Sequence, residues 1–158
     1  MPVFLSLGSN LKDRKKNCER ALSLLKEGFG IQCIKISQWH DTKAKTLPGE
    51  THPNFLNGVA KIKTDFTPFE LLYICKTIEH ELGRRFSEKK WQPRTIDIDI
   101  LFYKDHVVDT KHLQIPHPEL HQRLFVLHPL HEVEPDWLHP VLQKTVAELL
   151  KDMLKTLQ

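Results

Sequence analysis

Hydrophobic and polar positions follow two different periods along this chain, and these periods predict its strands and helices. Four short apolar runs bounded by turn-forming residues predict β-strands, over residues 2–7, 31–39, 54–62 and 93–100. Two longer segments carry apolar residues at helical spacing and predict helices, over residues 11–27 and 67–82. The resulting order, β-α-β-β-α-β, predicts an α+β sandwich of the ferredoxin-like type.

Capping residues predict where the two helices begin and end. Asn10 and Gly28 bound the first helix, while Thr67-Pro68 and Gly83 bound the second. The second helix has a predicted buried stripe, which consists of Phe69, Leu72, Ile74, Cys75, Ile78 and Leu82. The stripe leaves Lys76 and Glu79 on a different flank of this helix.

The remaining segments are predicted to add to this core fold. The polar stretch of residues 40–53 has little to bury and predicts a surface loop. Residues 107–108 and 113–115 predict a short hairpin or an extended arm. Residues 125–127 form a further apolar segment, and residues 145–157 predict an amphipathic last helix that covers an edge. Since the sequence shows no repeat or linker, we expect one domain over residues 1–158.

Composition and charge narrow the class of protein. The chain has 158 residues and three cysteines without paired spacing, which predicts one core, free thiols and a reducing compartment. We therefore expect a soluble cytoplasmic protein without a signal peptide or membrane span. The net charge is only +3, but five residues between positions 84 and 94 are basic and predict a local attraction for polyanions.

The candidate chemistry centres on residues 93–100, which read Pro-Arg-Thr-Ile-Asp-Ile-Asp-Ile. In a strand, the isoleucines Ile96, Ile98 and Ile100 share one face, while Asp97 and Asp99 share the other. One face suits a core, and paired carboxylates suit magnesium ions that also bind substrate phosphates. Taken alone, so short a motif also fits two acids that face water on a half-exposed strand.

Two other segments offer groups that could bind a ligand. Phe55 and Asn57 share a strand face, so an aromatic ring and an amide project together. This pattern suits a flat heterocycle, and it equally fits a packed phenylalanine beside an asparagine at a strand end. The polar loop of residues 84–92 contains Trp91, which suits a lid that packs when ligand arrives, and also fits a tryptophan buried in the core. A zinc site is not expected, because His117 and His121 are separated by a proline-started turn and have no cysteine nearby.

Five motifs together resemble one protein family. They are Gly-Ser-Asn at residues 8–10, Pro-Asn-Phe-Leu-Asn at 53–57, the block at 91–100, Ile-Pro-His-Pro at 115–118, and the segment at 123–130. In this order the chain resembles the 6-hydroxymethyl-7,8-dihydropterin pyrophosphokinases of folate synthesis over nearly its whole length. The resemblance implies transfer of the β,γ-pyrophosphoryl group of ATP to the pterin hydroxymethyl group, with release of AMP. It implies no nucleic-acid or membrane partner, and we expect a monomer.

The resemblance also implies a role for individual residues. Two magnesium ions would bind to Asp97 and Asp99. The catalytic set would comprise Asp97, Asp99, Arg94, Arg84 and Trp91. ATP would be held by Glu79, Arg94, Ile100, His117 and Arg123. The pterin would be held by Thr42, Phe55, Asn57 and Phe125, with the two phenylalanine rings on its opposite faces.

Some positions depart from the family pattern, and two other classes of protein stay open. Gln92 and Phe86 stand where a glycine and an arginine are usual in the lid, and Lys76 replaces a frequent glutamine near ATP. A nucleic-acid-binding module could use the same sandwich, with aromatic residues on its sheet. A two-metal phosphoesterase or nuclease could use the same paired aspartates. Formation of AMP from ATP and the pterin would separate the three classes.

Overall fold

The fold is built on a five-stranded antiparallel sheet in the order β2-β4-β1-β5, with β3 beside β2 on the same edge of β4. The computed structural model describes residues 1–43, 47–51, 54–83 and 95–158. The strands are β1 Val3–Ser9, β2 Gln32–Ile36, β3 His40–Thr42, β4 Phe55–Lys63 and β5 Asp97–Tyr103. This order confirms the predicted ferredoxin-like arrangement, and it places the strand with the two aspartates at an edge of the sheet.

Two predictions about the first half of the chain are corrected by the strand pairing. The first strand was predicted to end at residue 7 in a turn, but Gly8 and Ser9 are the last two residues of β1, because both pair with β4. Residues 40–42, predicted as part of a loop, form β3, which pairs with Phe55–Asn57 of β4. Long-range pairing therefore extends the sheet into segments that looked like loops from their local composition.

The first helix begins and ends differently from the prediction. Helix α1 spans Arg14–Ser23 and continues as a π-helical turn over Leu24–Gly28. Its N-cap is Asp13, whose side chain accepts a hydrogen bond from the Lys16 N–H, whereas Asn10 is buried before the helix with 1% of its surface exposed. Gly30, at φ +66°, takes the left-handed conformation after the π turn.

The second helix matches its predicted ends but not its predicted faces. Helix α2 spans Pro68–Glu81, with a capping box between Thr67 and Glu70 and with Gly83 at φ +105° after its end. Phe69, predicted as buried, is 51% exposed. Glu79, predicted on another flank, is 1% exposed and lies beside β5.

Two hydrophobic clusters lie on opposite faces of the sheet. The first cluster packs α1 and α2 against side chains that include Leu5, Ile98 and Ile100, as the alternation predicted. The second cluster packs α3 (Leu124–Val133) and α4 (Val146–Thr156) around Phe4 and Phe102. Helix α4 contributes Val146 and Leu149 to this cluster and packs mainly against α3, rather than along an edge strand as predicted.

The remaining elements are short. Strands β6 (Val108–Asp109) and β7 (Gln114–Ile115) form the predicted hairpin. A 3-10 turn over Leu120–Gln122 leads into α3, so the apolar segment at 125–127 is helical. Cys18, Cys33 and Cys75 are free thiols. Among the described residues, no helix is both long and apolar enough to cross a membrane.

Candidate active site

Four paired residues form a row across the sheet, on the face that carries the second cluster. Asp97 of β5 pairs with Gly8 of β1, Gly8 pairs with Asn57 of β4, and Asn57 pairs with His40 of β3. Residues directly opposite each other in antiparallel strands project to the same face. The row therefore puts Asp97 and Asn57 on either side of a glycine, with their Cα atoms about 10 Å apart at two strand spacings.

Gly8 leaves the room into which the Asn57 amide projects. A Cβ added at Gly8 would lie 2.5 Å from Asn57 Oδ1 and 3.5 Å from a ring carbon of Phe55. Asn57 Nδ2 donates a hydrogen bond to Thr42 Oγ1 at 2.6 Å. The amide is thus held by β3 with its oxygen above β1, and the Phe55 ring lies beside it.

The two aspartates belong to an acidic cluster at the edge of the sheet. Burial of Asp99, followed by the charges of Asp97 and Glu79, raises its pKa to about 7, while Lys76 and Arg123 act in the opposite direction. Three carboxylates at a partly desolvated edge attract a divalent cation, and carboxylate and phosphate oxygens are the ligands that magnesium prefers. Within the described residues, no group of three or more His, Cys, Asp or Glu side chains has metal-binding geometry.

Glu79 connects α2 to the strand that carries both aspartates. Its Oε2 accepts a hydrogen bond from the Ile98 backbone N–H at 2.8 Å, and its Oε1 lies 3.4 Å from Lys76 Nζ. Ile98 lies between Asp97 and Asp99, so Glu79 fixes the backbone of the acidic pair from the outer edge of the sheet.

Cationic and aromatic groups lie where the hairpin leads into α3. Arg123 is paired with Glu119, and its guanidinium carbon lies 5.5 Å from the centre of the Phe125 ring, which is 36% exposed. The His117 backbone N–H donates to the Leu101 carbonyl oxygen, and burial and then the Arg123 charge lower the pKa of His117. The charge of Arg123 acts to lower the pKa of Asp99, and the charge of Asp97 acts to raise the pKa of His117. This segment therefore lies near the acidic cluster.

Comparison with known proteins decides the family. The sequence model of 7,8-dihydro-6-hydroxymethylpterin-pyrophosphokinase (HPPK) matches residues 4–135. The chain belongs to the HPPK family. It is 46% identical over 146 residues to the 2-amino-4-hydroxy-6-hydroxymethyldihydropteridine pyrophosphokinase of Aquifex aeolicus, covering 92% of this chain and 88% of that one. It is 40% identical over 131 residues to the Bacillus subtilis protein of the same name, and the match covers 83% of this chain and 77% of that one.

Other similar proteins are longer than this chain. The folic acid synthesis protein fol1 of Schizosaccharomyces pombe is 40% identical over 148 residues, which are 94% of this chain but 20% of that protein. A Plasmodium falciparum HPPK-DHPS triple mutant superposes with a TM-score of 0.77 at 18% identity, over 99% of this chain and 44% of that one. The crystal structure of HPPK-DHPS in complex with substrates superposes with a TM-score of 0.75 at 14% identity, over 98% of this chain and 43% of that one. The chain spans less than half of these structures, which support the fold.

Family membership confirms the predicted class of enzyme. HPPK proteins are pyrophosphokinases, which are transferases, and their relatives are named for folic acid synthesis. Neither a phosphoesterase or nuclease nor a nucleic-acid-binding module is supported by these matches.

The structure brings some of the predicted site residues together. Asp97 and Asp99 share a face, Phe55 and Asn57 share a face, and Thr42 contacts Asn57 through its hydroxyl group. Ile100 has its side chain in the first cluster, which leaves only its backbone for a ligand. Arg84, Trp91, Arg94 and the lid departures Phe86 and Gln92 lie outside the described residues.

Sequence reasoning missed two side-chain pairs that hold this region in place. Arg14 binds Asp41 and the Asn54 carbonyl, and Glu132 binds His40. Arg14 resembles an ordinary solvated cation in the first turn of a helix, and no local pattern indicates its partners 27 and 40 residues away. Glu132 and His40 are 92 residues apart. The pairing of β3 with β4 puts His40 and Asp41 within reach of Glu132 on α3 and Arg14 on α1.

Proposed function

We propose that the chain transfers the β,γ-pyrophosphoryl group of ATP to the hydroxymethyl group of 6-hydroxymethyl-7,8-dihydropterin in folate biosynthesis. The pterin hydroxyl oxygen would bond to the β-phosphorus, and the bond from that phosphorus to the α,β-bridging oxygen would break. AMP would leave with the electron pair, and the hydroxyl would lose its proton. Within the HPPK family, the observation that supports this reaction best is the row in which Gly8 separates the Asp97 carboxylate from the Asn57 amide.

The acidic end of the row, at Asp97, would bind magnesium and the phosphates of ATP. Asp97 and Asp99 would hold two Mg²⁺ ions, which neutralise phosphate charge and make the pterin hydroxyl easier to deprotonate. The raised pKa of Asp99 supports this assignment, because a bound cation offsets the repulsion from Asp97 and Glu79. Glu79 would hold the strand under the two ions through the Ile98 N–H.

The amide end of the row would take the pterin. With Asn57 Nδ2 bound to Thr42, the Asn57 oxygen is directed over Gly8 as an acceptor for a ring or amino N–H. The rings of Phe55 and Phe125 would stack on the two faces of the pterin, an arrangement that suits a planar heterocycle. The side chains would thus recognise both the edge and the faces of the ring.

The remaining assignments follow the family pattern. ATP would be bound by His117 and Arg123, by Arg94, and by the Ile100 backbone, while Arg84 and Trp91 would close over the reacting groups. We further propose that residues 1–158 act as one domain, and as a cytoplasmic monomer. Burial of Val146 against the same cluster as Phe4 supports the single domain. The three free thiols fit a reducing compartment.

Product analysis tests the reaction. The protein is incubated with ATP, Mg²⁺ and 6-hydroxymethyl-7,8-dihydropterin, and nucleotides and pterins are separated by chromatography. We expect AMP and the pterin diphosphate in equal amounts, and neither without the pterin. ADP as the product, or nucleotide hydrolysis that does not require the pterin, would contradict the proposal.

A further inference from the structure

Arg14 makes a three-point contact beneath the proposed pterin site. Its Nη1 and Nη2 donate to the two carboxylate oxygens of Asp41 at 2.9 and 3.1 Å, and Nη1 also donates to the Asn54 carbonyl oxygen at 2.9 Å. Such planar, bidentate geometry fixes direction as well as distance. One guanidinium at the start of α1 therefore joins β3 to the residue that precedes β4.

The two anchored residues are the sequence neighbours of pterin-site residues. Asp41 precedes Thr42, Asn54 precedes Phe55, and Thr42 pairs with Phe55 in the sheet. Because successive strand residues face opposite sides, Asp41 lies on the face opposite Thr42. Arg14 thus holds the backbone beneath Thr42 and Phe55 from the other side of the sheet.

The contact is better suited to positioning β3 than to stabilising the whole domain. The side chains of Arg14 and Asp41 are 29% and 56% exposed, and exposed ion pairs contribute little to the stability of the fold. β3 is three residues long and depends on few backbone hydrogen bonds to β4. A modest tie can therefore decide where so short a strand lies without deciding whether the domain folds.

We infer that Arg14 is a positioning residue for the pterin site, where it acts through Asp41 and Asn54 on the placement of Thr42, Asn57 and Phe55. This inference rests on the proposed function and adds to it a residue that touches neither substrate. Loss of the contact would leave the phosphate end unchanged, since Asp97 and Asp99 lie on the far side of β1.

Steady-state kinetics of variants tests the inference. We expect Arg14→Ala to raise KM for the pterin about tenfold, with kcat and KM for MgATP changed less than about twofold, because uniform binding is lost at one substrate only. The KM of Arg14→Lys for the pterin should lie between those of the unaltered chain and Arg14→Ala, since an ammonium cannot make the bidentate contact. The double variant Arg14→Ala/Asp41→Ala should be no worse than Arg14→Ala, because the two residues act as one unit.

A matched control separates position from charge and stability. Lys144→Ala removes another exposed ion pair, with Asp152 at 2.6 Å, and should change neither KM. Thermal melting should show both alanine variants folded at the assay temperature, and if Arg14→Ala is not, Arg14→Lys carries the test. An unchanged pterin KM, or equal rises in both KM values, overturns the inference. Absence of AMP formation by the unaltered protein would instead overturn the proposed function.

Discussion

At the scale of single residues, the site depends on a missing side chain as much as on the polar groups around it. Gly8 lies in a strand, has no unusual backbone angle, and is needed because the Asn57 oxygen and the Phe55 ring lie above it. Asn57, in turn, is oriented by Thr42. Pterin recognition is therefore expected to be sensitive to a single methyl group at position 8.

We predict that Gly8→Ala selectively weakens pterin binding. A Cβ at 2.5 Å from Asn57 Oδ1 forces the amide to move, and losing its contact with a buried ligand edge costs about 1–3 kcal/mol, or about 5- to 150-fold in affinity. Calorimetric titration with the pterin and with MgATP measures the effect. Gly28→Ala is the control, because its added Cβ meets nothing within 4 Å. Wild-type pterin affinity in Gly8→Ala would show that the amide does not contact the ligand.

Asp99 predicts a pH dependence of stability in the absence of metal. Its pKa of about 7 in the folded chain exceeds the ordinary value of 3.8, so between these values the native state binds more protons than the unfolded state. The contribution of Asp99 to the unfolding free energy is therefore greatest at low pH. It falls as the pH rises toward 7, by as much as roughly 4 kcal/mol.

We therefore predict that Asp99→Asn flattens the decline in unfolding free energy between about pH 4 and pH 7. Urea denaturation at several pH values, in chelator, compares the variant with the unaltered chain. Asp105→Asn, an exposed change in the turn after β5, should keep the decline. Parallel curves for Asp99→Asn and the unaltered chain would mean that Asp99 ionises normally.

At the scale of elements, α2 matters because it brings a carboxylate to the edge of β5. Ile98 donates its N–H to Glu79, which is almost completely buried. We predict that Glu79→Ala lowers the unfolding free energy by about 1–3 kcal/mol, because a buried N–H loses its acceptor. Glu81→Ala, an exposed change on the same helix, should have little effect. Urea denaturation at one pH measures both, and equal stability of the two variants would contradict this role of Glu79.

The sequence was sufficient to predict elements whose signals are local. Thr67-Pro68 and Gly83 mark the ends of α2 because capping and the left-handed conformation depend on neighbouring residues. The faces of α2 were less predictable: Phe69 is exposed at its start, whereas Glu79 is buried by an edge strand distant in sequence. β3 was missed because three polar residues acquire strand structure only by pairing with β4.

The same distinction applies to the candidate site. The alternation of Asp97 and Asp99 with isoleucines, and the shared face of Phe55 and Asn57, follow from the period of a strand. The row through Gly8 does not, because it depends on the registers of β1 with both β4 and β5. Arg14 has no local signal for the same reason.

At the scale of the whole molecule, the last residues complete a core that begins at the first strand. The family match ends at residue 135, yet Val146 and Leu149 pack in the cluster that contains Phe4 and Phe102. A chain that ends at residue 143 loses two buried aliphatic side chains from this cluster, worth about 1.5–3 kcal/mol each. This loss is a large part of the stability of a typical domain.

We predict that the chain ending at residue 143 loses cooperative thermal unfolding, whereas one ending at residue 156 melts like the full chain. The second truncation removes only Leu157 and Gln158, which are exposed. Circular dichroism during heating compares the three proteins. A cooperative transition of the shorter chain near the full-length Tm would show that α4 is dispensable.

The central claim is that Asp97 and Asp99 hold the magnesium ions that serve pyrophosphoryl transfer. AMP formation from ATP and the pterin is measured across a magnesium titration for Asp97→Asn, Asp99→Asn and the control Asp105→Asn, each shown to be folded by circular dichroism. We predict that both site variants lose at least about 100-fold in kcat, because carboxylates that position metal-bound phosphates act in the transition state. The control should match the unaltered chain. Near wild-type AMP formation by either site variant at limiting magnesium would contradict the claim.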